Sequence, residues 1–254
     1  MILQRTEQAV WLSNAYLIID RPGGSGVLVD SNGVTEPLVE RVDREGTKLT
    51  HILLTHHHPD HVVGVKALAD RFGVPVLAHE ACADQLGGVV TGTIGDGDVV
   101  SSGDLRIEAM HTPGHCADHL ALLVDGTDCV TADVLFKGTV AGTRGPGATG
   151  FADLRSSIMD RLMALPHETR IHPGHREPST IGEEWETNPF IRVWRGLDPE
   201  GDEPCTVGFD ELNREQATLV LLAPDYDGGN KAWVRFPSGE EAVVGGSQVR
   251  RSAD

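Results

Sequence analysis

The sequence predicts a layered α/β protein that closes with a small β-rich C-terminal extension, and three observations carry that prediction. Short apolar runs alternate with turn residues through the first half of the chain, and a helical apolar pattern follows one of them. After about residue 198 the pattern becomes short runs joined by Gly- and Asn-containing turns.

Trp11 to Asp20, Gly26 to Asp30 and Leu49 to Thr55, with Gly, Pro, Asn and Asp between them, read as strands feeding loops. Val62 to Phe72 carries apolar positions at helical spacing and ends at Gly73, after which Pro75-Val76-Leu77-Ala78 reads as a strand. The result is a strand, loop, helix, strand unit. More strands are expected between Asp98 and Met110 and between Leu120 and Thr131, separated by a loop rich in His, Pro and Gly. Asp153 is placed to cap a helix whose apolar face is Leu154, Ile158, Leu162 and Leu165, and Pro166 stops it. From Asp198 an acidic linker and a short amphipathic segment lead to Thr218 to Ala223, Lys231 to Phe236 and Glu241 to Val244. Asp227-Gly228-Gly229-Asn230 and Pro237-Ser238-Gly239-Glu240 join these runs as hairpins of a compact, barrel-like β extension. The expected parts are therefore residues 1–197 and 198–254.

A chain of 254 residues suffices for one large domain with such an appendage. Its net charge of −17 opposes a phosphate backbone, so nucleic acid is not an expected partner. No run approaches the roughly 18 apolar residues of a membrane span, and the start lacks the apolar segment of a signal peptide; a cytoplasmic protein without a membrane partner is expected. Cys82, Cys116, Cys129 and Cys205 are scattered without a Cys-x-x-Cys pair, which predicts reduced, buried thiols.

The chemistry is concentrated in Thr55-His56-His57-His58-Pro59-Asp60-His61, directly after the apolar Ile52-Leu53-Leu54 and before a helix. In extended chain, residues two apart point the same way, so His56 and His58 converge on one ion while the turn at Pro59 sends Asp60 and His61 toward another. Imidazole with carboxylate suits zinc, and also iron or manganese. Gathering these groups without a cation would cost roughly 1–3 kcal/mol for each unsatisfied buried group.

This segment resembles the His-x-His-x-Asp-His signature of the metallo-β-lactamase superfamily, which implies its four-layer αββα fold with the C-terminal β appendage added. His111-Thr112-Pro113-Gly114-His115 resembles the superfamily's third-ligand loop, Thr131-Ala132-Asp133 its segment with the bridging aspartate, and His172-Pro173-Gly174-His175 its last ligand loop. The resemblance spans residues 10 to 195. It implies two divalent metal ions: one on His56, His58 and His115, the other on Asp60, His61 and His175, with Asp133 between them. Leu135-Phe136-Lys137-Gly138, and Thr180-Ile181-Gly182-Glu183-Glu184 through Asn188-Pro189-Phe190, resemble the glyoxalase II-like (hydroxyacylglutathione hydrolase-like) bacterial hydrolases. Three features depart from that branch: Ala132 stands where glycine is usual, Arg176 follows the last ligand in place of a Glu-Tyr pair, and the helical glutathione-binding domain is missing.

The implied activity is metal-dependent hydrolysis of a small acyl compound, a thioester first, with Asp60 orienting the attacking hydroxide or carrying its proton. Lys137 is expected to meet a substrate carboxylate and His119 to reach a ligand or a substrate oxygen, whereas His57 points away and bonds backbone. His51, His79, His111, His167 and His172 are read as structural, and Cys116 as a buried thiol. The alternatives are an iron-dependent persulfide dioxygenase holding one ion, a lactam- or phosphodiester-cleaving member of the fold, and a partner-binding module acting through the C-terminal extension. Oligomeric state is not predicted.

Overall fold

A strand with apolar residues at every position needs cover on both faces. In the computed structural model, which describes residues 1–251 apart from Phe209 and Glu211, the strand Asn14–Ile19 is buried along its whole length. Tyr16 and Ile18 enter one core with Val27, Val29, Leu53, Ile107, Leu120, Leu122 and Val130. Ala15, Leu17 and Ile19 enter another with Leu28, Ile52, Leu54, Leu38, Val42, Val65 and Cys82. The two-residue period of a strand thus divides one apolar run between two cores.

The described chain forms two compact units, the first made of Met1–His111, Asp118–Ala132 and Arg170–Glu177. Its first sheet has the order Ile2–Glu7, Asn14–Ile19, Ser25–Val29, Lys48–Leu53, Val76–Ala78, Gly92–Thr93, antiparallel at the start and parallel from Ser25–Val29 onward. Within this unit a second sheet runs Arg170–Pro173, Asp128–Ala132, Leu120–Val124, Leu105–His111, Val99–Ser102, and the first core lies between the two sheets. Helices Glu36–Glu45, Val65–Phe72 and Glu80–Leu86 contribute to the second core and cover the other face of the first sheet.

Most of the expected strands are present, and the differences have local causes. The helix expected from Val62 begins at Val65, because Pro59–His61 forms a 3₁₀ turn and Val62–Val63 pairs in parallel with Ser31–Asn32. The expected stretches 98–110 and 120–131 each fold back on themselves, as Val99–Ser102 with Leu105–His111 and as Leu120–Val124 with Asp128–Ala132.

The second unit holds Thr112–Ala117, Asp133–Thr169 and the chain from Pro178 onward. Its helix Phe151–Ser156 continues as a π-helical segment, Ser157–Leu162, and Leu154, Ile158 and Leu162 are fully buried as the pattern required, whereas Leu165 follows the end of that segment and is only partly buried. The cap differs from the expectation. Gly150, at φ 113°, precedes the helix, and Asp153 lies inside the first turn, because the extended chain leaving Gly150 starts the helix before Asp153 is reached.

Five antiparallel strands follow in the order Glu241–Gly245, Asn230–Arg235, Glu215–Pro224, Glu203–Val207, Val249–Arg251. One face of all five feeds a single cluster that includes Cys205, Leu219, Val234, Val244 and Val249. The opposite face is covered as well: Trp233 stacks on Phe151 at 5.1 Å and lies edge-on to Trp194 at 6.4 Å.

Candidate metal centre

Strand Lys48–Leu53 lies parallel to Ser25–Val29 with Leu53 opposite Val29, so both strands release their loops at the same end. Asp30 follows one strand and Thr55-His56 the other. Asp30 takes φ 58°, a conformation aspartate tolerates, and its residue is 2% exposed. Its Oδ1 accepts from the Thr55 amide at 2.8 Å; its Oδ2 accepts from the Thr55 hydroxyl at 2.7 Å and from His61 Nδ1 at 2.9 Å. The single Thr55 hydroxyl hydrogen is thereby committed, so its oxygen accepts from His56 Nδ1 at 3.0 Å. Both imidazoles then carry their proton on Nδ1 and keep a lone pair on Nε2, the form that ligates a metal.

The same device fixes His175. Asn14 Nδ2 donates to the carbonyls of Pro173 and Arg176, each at 2.8 Å, and the Tyr16 hydroxyl donates to Pro173 at 2.5 Å, pinning the loop. His175 Nδ1 stands 3.0 Å from the Trp11 carbonyl, which can only accept, so Nε2 again keeps its lone pair. Leu12 and Arg176, flanking this contact, both take φ 62°, at a cost of about 1–2 kcal/mol for such residues. On the neighbouring strand Asp128–Ala132, opposite the start of the strand leading to this loop, burial would raise the Asp128 carboxyl, but hydrogen bonds from His172, Arg170 and Thr127 hold it well below the usual range.

Within the first unit, Asp60, His61 and His175 bring one ligand atom each to within 4.8 Å of the others. The Asp60 Oδ2 is 3.5 Å from His61 Nε2 and 3.6 Å from His175 Nε2. Charged hydrogen bonds would be about 2.7–2.9 Å. The edge of a tetrahedron around zinc, with ligand bonds near 2.1 Å, is about 3.4 Å, so the spacing suits a shared cation. Asp30 also lies near His56 and His61, but three donors already occupy its oxygens, so it orients and does not ligate. The ring of His56 is 4.7 Å from that of His58 and 5.4 Å from that of the fully buried His119. His57 differs from the expectation: its Nδ1 meets the Asp118 carboxylate at 2.9 Å, because a buried carboxylate attracts an imidazole N–H more strongly than backbone does.

In the second unit, His115 Nδ1 is 3.1 Å from the Gly142 carbonyl, and its Nε2 is 3.7 Å from Asp133 Oδ2. The residue before Asp133, Ala132, takes φ 41°, which explains why glycine is usual there. Gly114, before His115, takes φ 134°, and a Cβ added to it would lie 2.4 Å from Leu154 Cα. Backbone cannot yield as a side chain does, so Gly114→Ala is expected to cost about 1–3 kcal/mol, visible as a lower Tm, and to loosen His115. Lys137 is half exposed and pairs with Glu183 at 3.3 Å. Beside it the buried Glu184 accepts from the Gly138 amide and from Asn188, both at 2.9 Å, fixing the turn that carries Lys137.

Residues 9–175 match the metallo-beta-lactamase superfamily. This chain belongs to that superfamily. It is 30% identical over 214 residues to the hydroxyacylglutathione hydrolase of Rhizobium meliloti (strain 1021), covering 70% of this chain and 81% of that one. The crystal structure of ETHE1 from Myxococcus xanthus superposes with TM-score 0.68 at 27% identity, over 78% of this chain and 92% of the other. TTHA1623, crystallised in a di-iron-bound form, superposes with TM-score 0.64 at 31% identity, over 74% of this chain and 99% of that one. The chain thus has the metallo-β-lactamase fold, whose members are mostly metal-dependent hydrolases and bind two metal ions. Among the described residues no helix is long and apolar enough to cross a membrane.

Asp30 escaped the sequence reading, and its signal was faint: a lone aspartate closing the apolar run Val27-Leu28-Val29. Its partner at Thr55 is 25 residues away and becomes visible only through strand pairing.

Proposed function

We propose that this protein is a two-metal hydrolase acting on a thioester or related small acyl compound. The observation that supports the reading is the state of four imidazoles: His56, His61, His115 and His175 each spend Nδ1 on an acceptor and keep Nε2 as a lone-pair donor. His56, His58 and His115 would hold one ion and Asp60, His61 and His175 the other, with Asp133 as a further ligand. Two divalent ions, zinc first with iron or manganese as alternatives, would supply Lewis acidity toward a carbonyl oxygen and an acidified water at neutral pH.

The chain's own groups do the rest. Asp60, with a side chain 20% exposed, is open enough to meet a reacting water and takes up its proton or orients it. His119, buried beside His56, steadies that ligand or a substrate oxygen. Lys137 exchanges Glu183 for a substrate carboxylate. A thiolate leaves without a strong acid, in keeping with the name of the Rhizobium relative, a hydrolase of hydroxyacylglutathione. The four cysteines, all buried and unbridged, suit a reducing cytoplasmic setting.

The test is a substrate comparison with the metal-loaded protein: lactoyl-glutathione and other thioesters against lactams and phosphodiesters. Thioester kcat/KM is expected to exceed the others. Faster lactam or phosphodiester cleavage overturns the substrate class, and oxygen uptake on glutathione persulfide with about one iron per chain replaces hydrolysis by the dioxygenase reaction.

A further inference from the structure

We infer that the C-terminal sheet is part of the metal centre, and that Thr143 is the positioning residue through which it sets His115. The inference rests on the reading of His115 as a ligand.

Strand Glu241–Gly245 lies at one end of the five-strand order, with Asn230–Arg235 as its strand partner and Val243 opposite Trp233. The Val243 backbone is engaged by Thr143, whose amide donates to the Val243 carbonyl at 2.9 Å while its hydroxyl oxygen accepts from the Val243 amide at 2.9 Å. In an antiparallel pair the amide and carbonyl of one residue point to the same side, so a single threonine, using backbone and side chain together, closes both bonds as a further strand would. Val243 is fully buried and Thr143 is 4% exposed, so solvent does not compete for these groups.

The peptide unit between Gly142 and Thr143 is planar, with its carbonyl and amide fixed on opposite sides. Its amide is the group donated to Val243, and its carbonyl stands 3.1 Å from His115 Nδ1. One rigid group therefore joins the sheet to the imidazole, in the order Val243 carbonyl, Thr143 amide, Gly142 carbonyl, His115 Nδ1–H. Each hydrogen bond in such a chain polarises the next and strengthens the acceptor that fixes the ring. A carbonyl acceptor on Nδ1 sets both the tautomer and the direction of Nε2.

A separate contact braces the hairpin that follows Asp133. Phe136, in strand Leu135–Phe136, meets the ring of Tyr226 at 4.9 Å, and Tyr226 sits in the turn held by the buried Lys231–Asp225 pair at 2.9 Å. The loops carrying both of this unit's ligands, His115 and Asp133, thus lean on the C-terminal sheet.

The test measures zinc affinity of the full chain by competition with a chromophoric chelator, and reads the tautomer of the His115 ring in metal-free protein by long-range proton–nitrogen NMR. Thr143→Val keeps the amide but removes the oxygen that accepts from Val243; Thr143→Ser restores it. T143V is expected to weaken one of the two zinc sites about 10–100-fold and to mix the His115 tautomers. T143S should stay within about threefold of the parent, and His115→Ala should lose that same site. If H115A loses a site while T143V binds zinc normally with its ring unchanged, the inference fails and the ligand reading stands. If H115A keeps both sites, the ligand reading itself fails. Should T143V not fold, the parent protein still decides, since a His115 ring protonated on Nε2 contradicts the inference and one protonated on Nδ1 supports it.

Discussion

Asp60→Asn is expected to lower kcat/KM for thioester hydrolysis about 10³-fold while leaving the fold intact. Asp60 is the middle residue of a three-residue 3₁₀ turn and its side chain is 20% exposed, and the turn is anchored by its backbone carbonyl, which accepts from Ser13 at 3.1 Å. Little stability therefore depends on the carboxylate. Asparagine keeps the volume but loses the charge that would balance a cation held with His61 and His175, and it cannot take a proton from water. Both losses fall on the reaction. Steady-state kinetics with a thermal melt on the same sample separates them from unfolding; a variant within threefold of the parent would remove Asp60 from the mechanism.

Asp30→Asn tests the network from the other side, and its expected effect is a 10–100-fold loss of zinc affinity in a protein that still folds. Asparagine tolerates the left-handed conformation at φ 58° as aspartate does, so the backbone has no reason to move. What changes is the count of acceptors. Aspartate receives three hydrogens, from the Thr55 amide, the Thr55 hydroxyl and His61 Nδ1. The new amide group must replace one of those oxygens with a donor. Placed toward the Thr55 amide, it sets two donors face to face at about 1–3 kcal/mol. Placed toward His61, it drives that proton from Nδ1 to Nε2 and turns the Thr55 hydroxyl toward His56, which then shifts its proton in the same way. Both rings lose the lone pair a metal needs. Chelator competition reads the loss directly, and unchanged affinity would show that Asp30 does not set the tautomers.

The proposed ligands stand out in the sequence where they lie close together, because four of them fall within six residues behind an apolar strand, with two-residue alternation pairing His56 with His58 and the turn at Pro59 setting Asp60 and His61 apart. His115, Asp133 and His175 were legible through resemblance alone; each looks like an ordinary turn residue. The groups that orient them were not readable. Asp30, the Trp11 carbonyl and the Gly142 carbonyl act across 31, 164 and 27 residues, and two of the three are backbone atoms that carry no residue-type signal.

The fold divided along the same line. Asn14–Ile19 and Ser25–Val29 stood out because apolar residues fill both faces, whereas Ile2–Glu7, polar at Gln4, Arg5 and Glu7, shows no strand pattern of its own and is recognised only through its pairing with Asn14–Ile19. Helix Glu36–Glu45 buries Leu38, Val39 and Val42 at helical spacing, a signal the sequence carries in only three positions, whereas Glu80–Leu86 buries Cys82 alone and shows no comparable stripe.

The histidines and carboxylates of this chain are expected to hold a pair of cations. Elemental analysis of the purified protein, loaded with zinc and then freed of excess, counts them. About two ions per chain are expected, falling to about one in the His175→Ala variant. Retention of no metal by the folded parent, or of the same number by both proteins, would contradict that expectation.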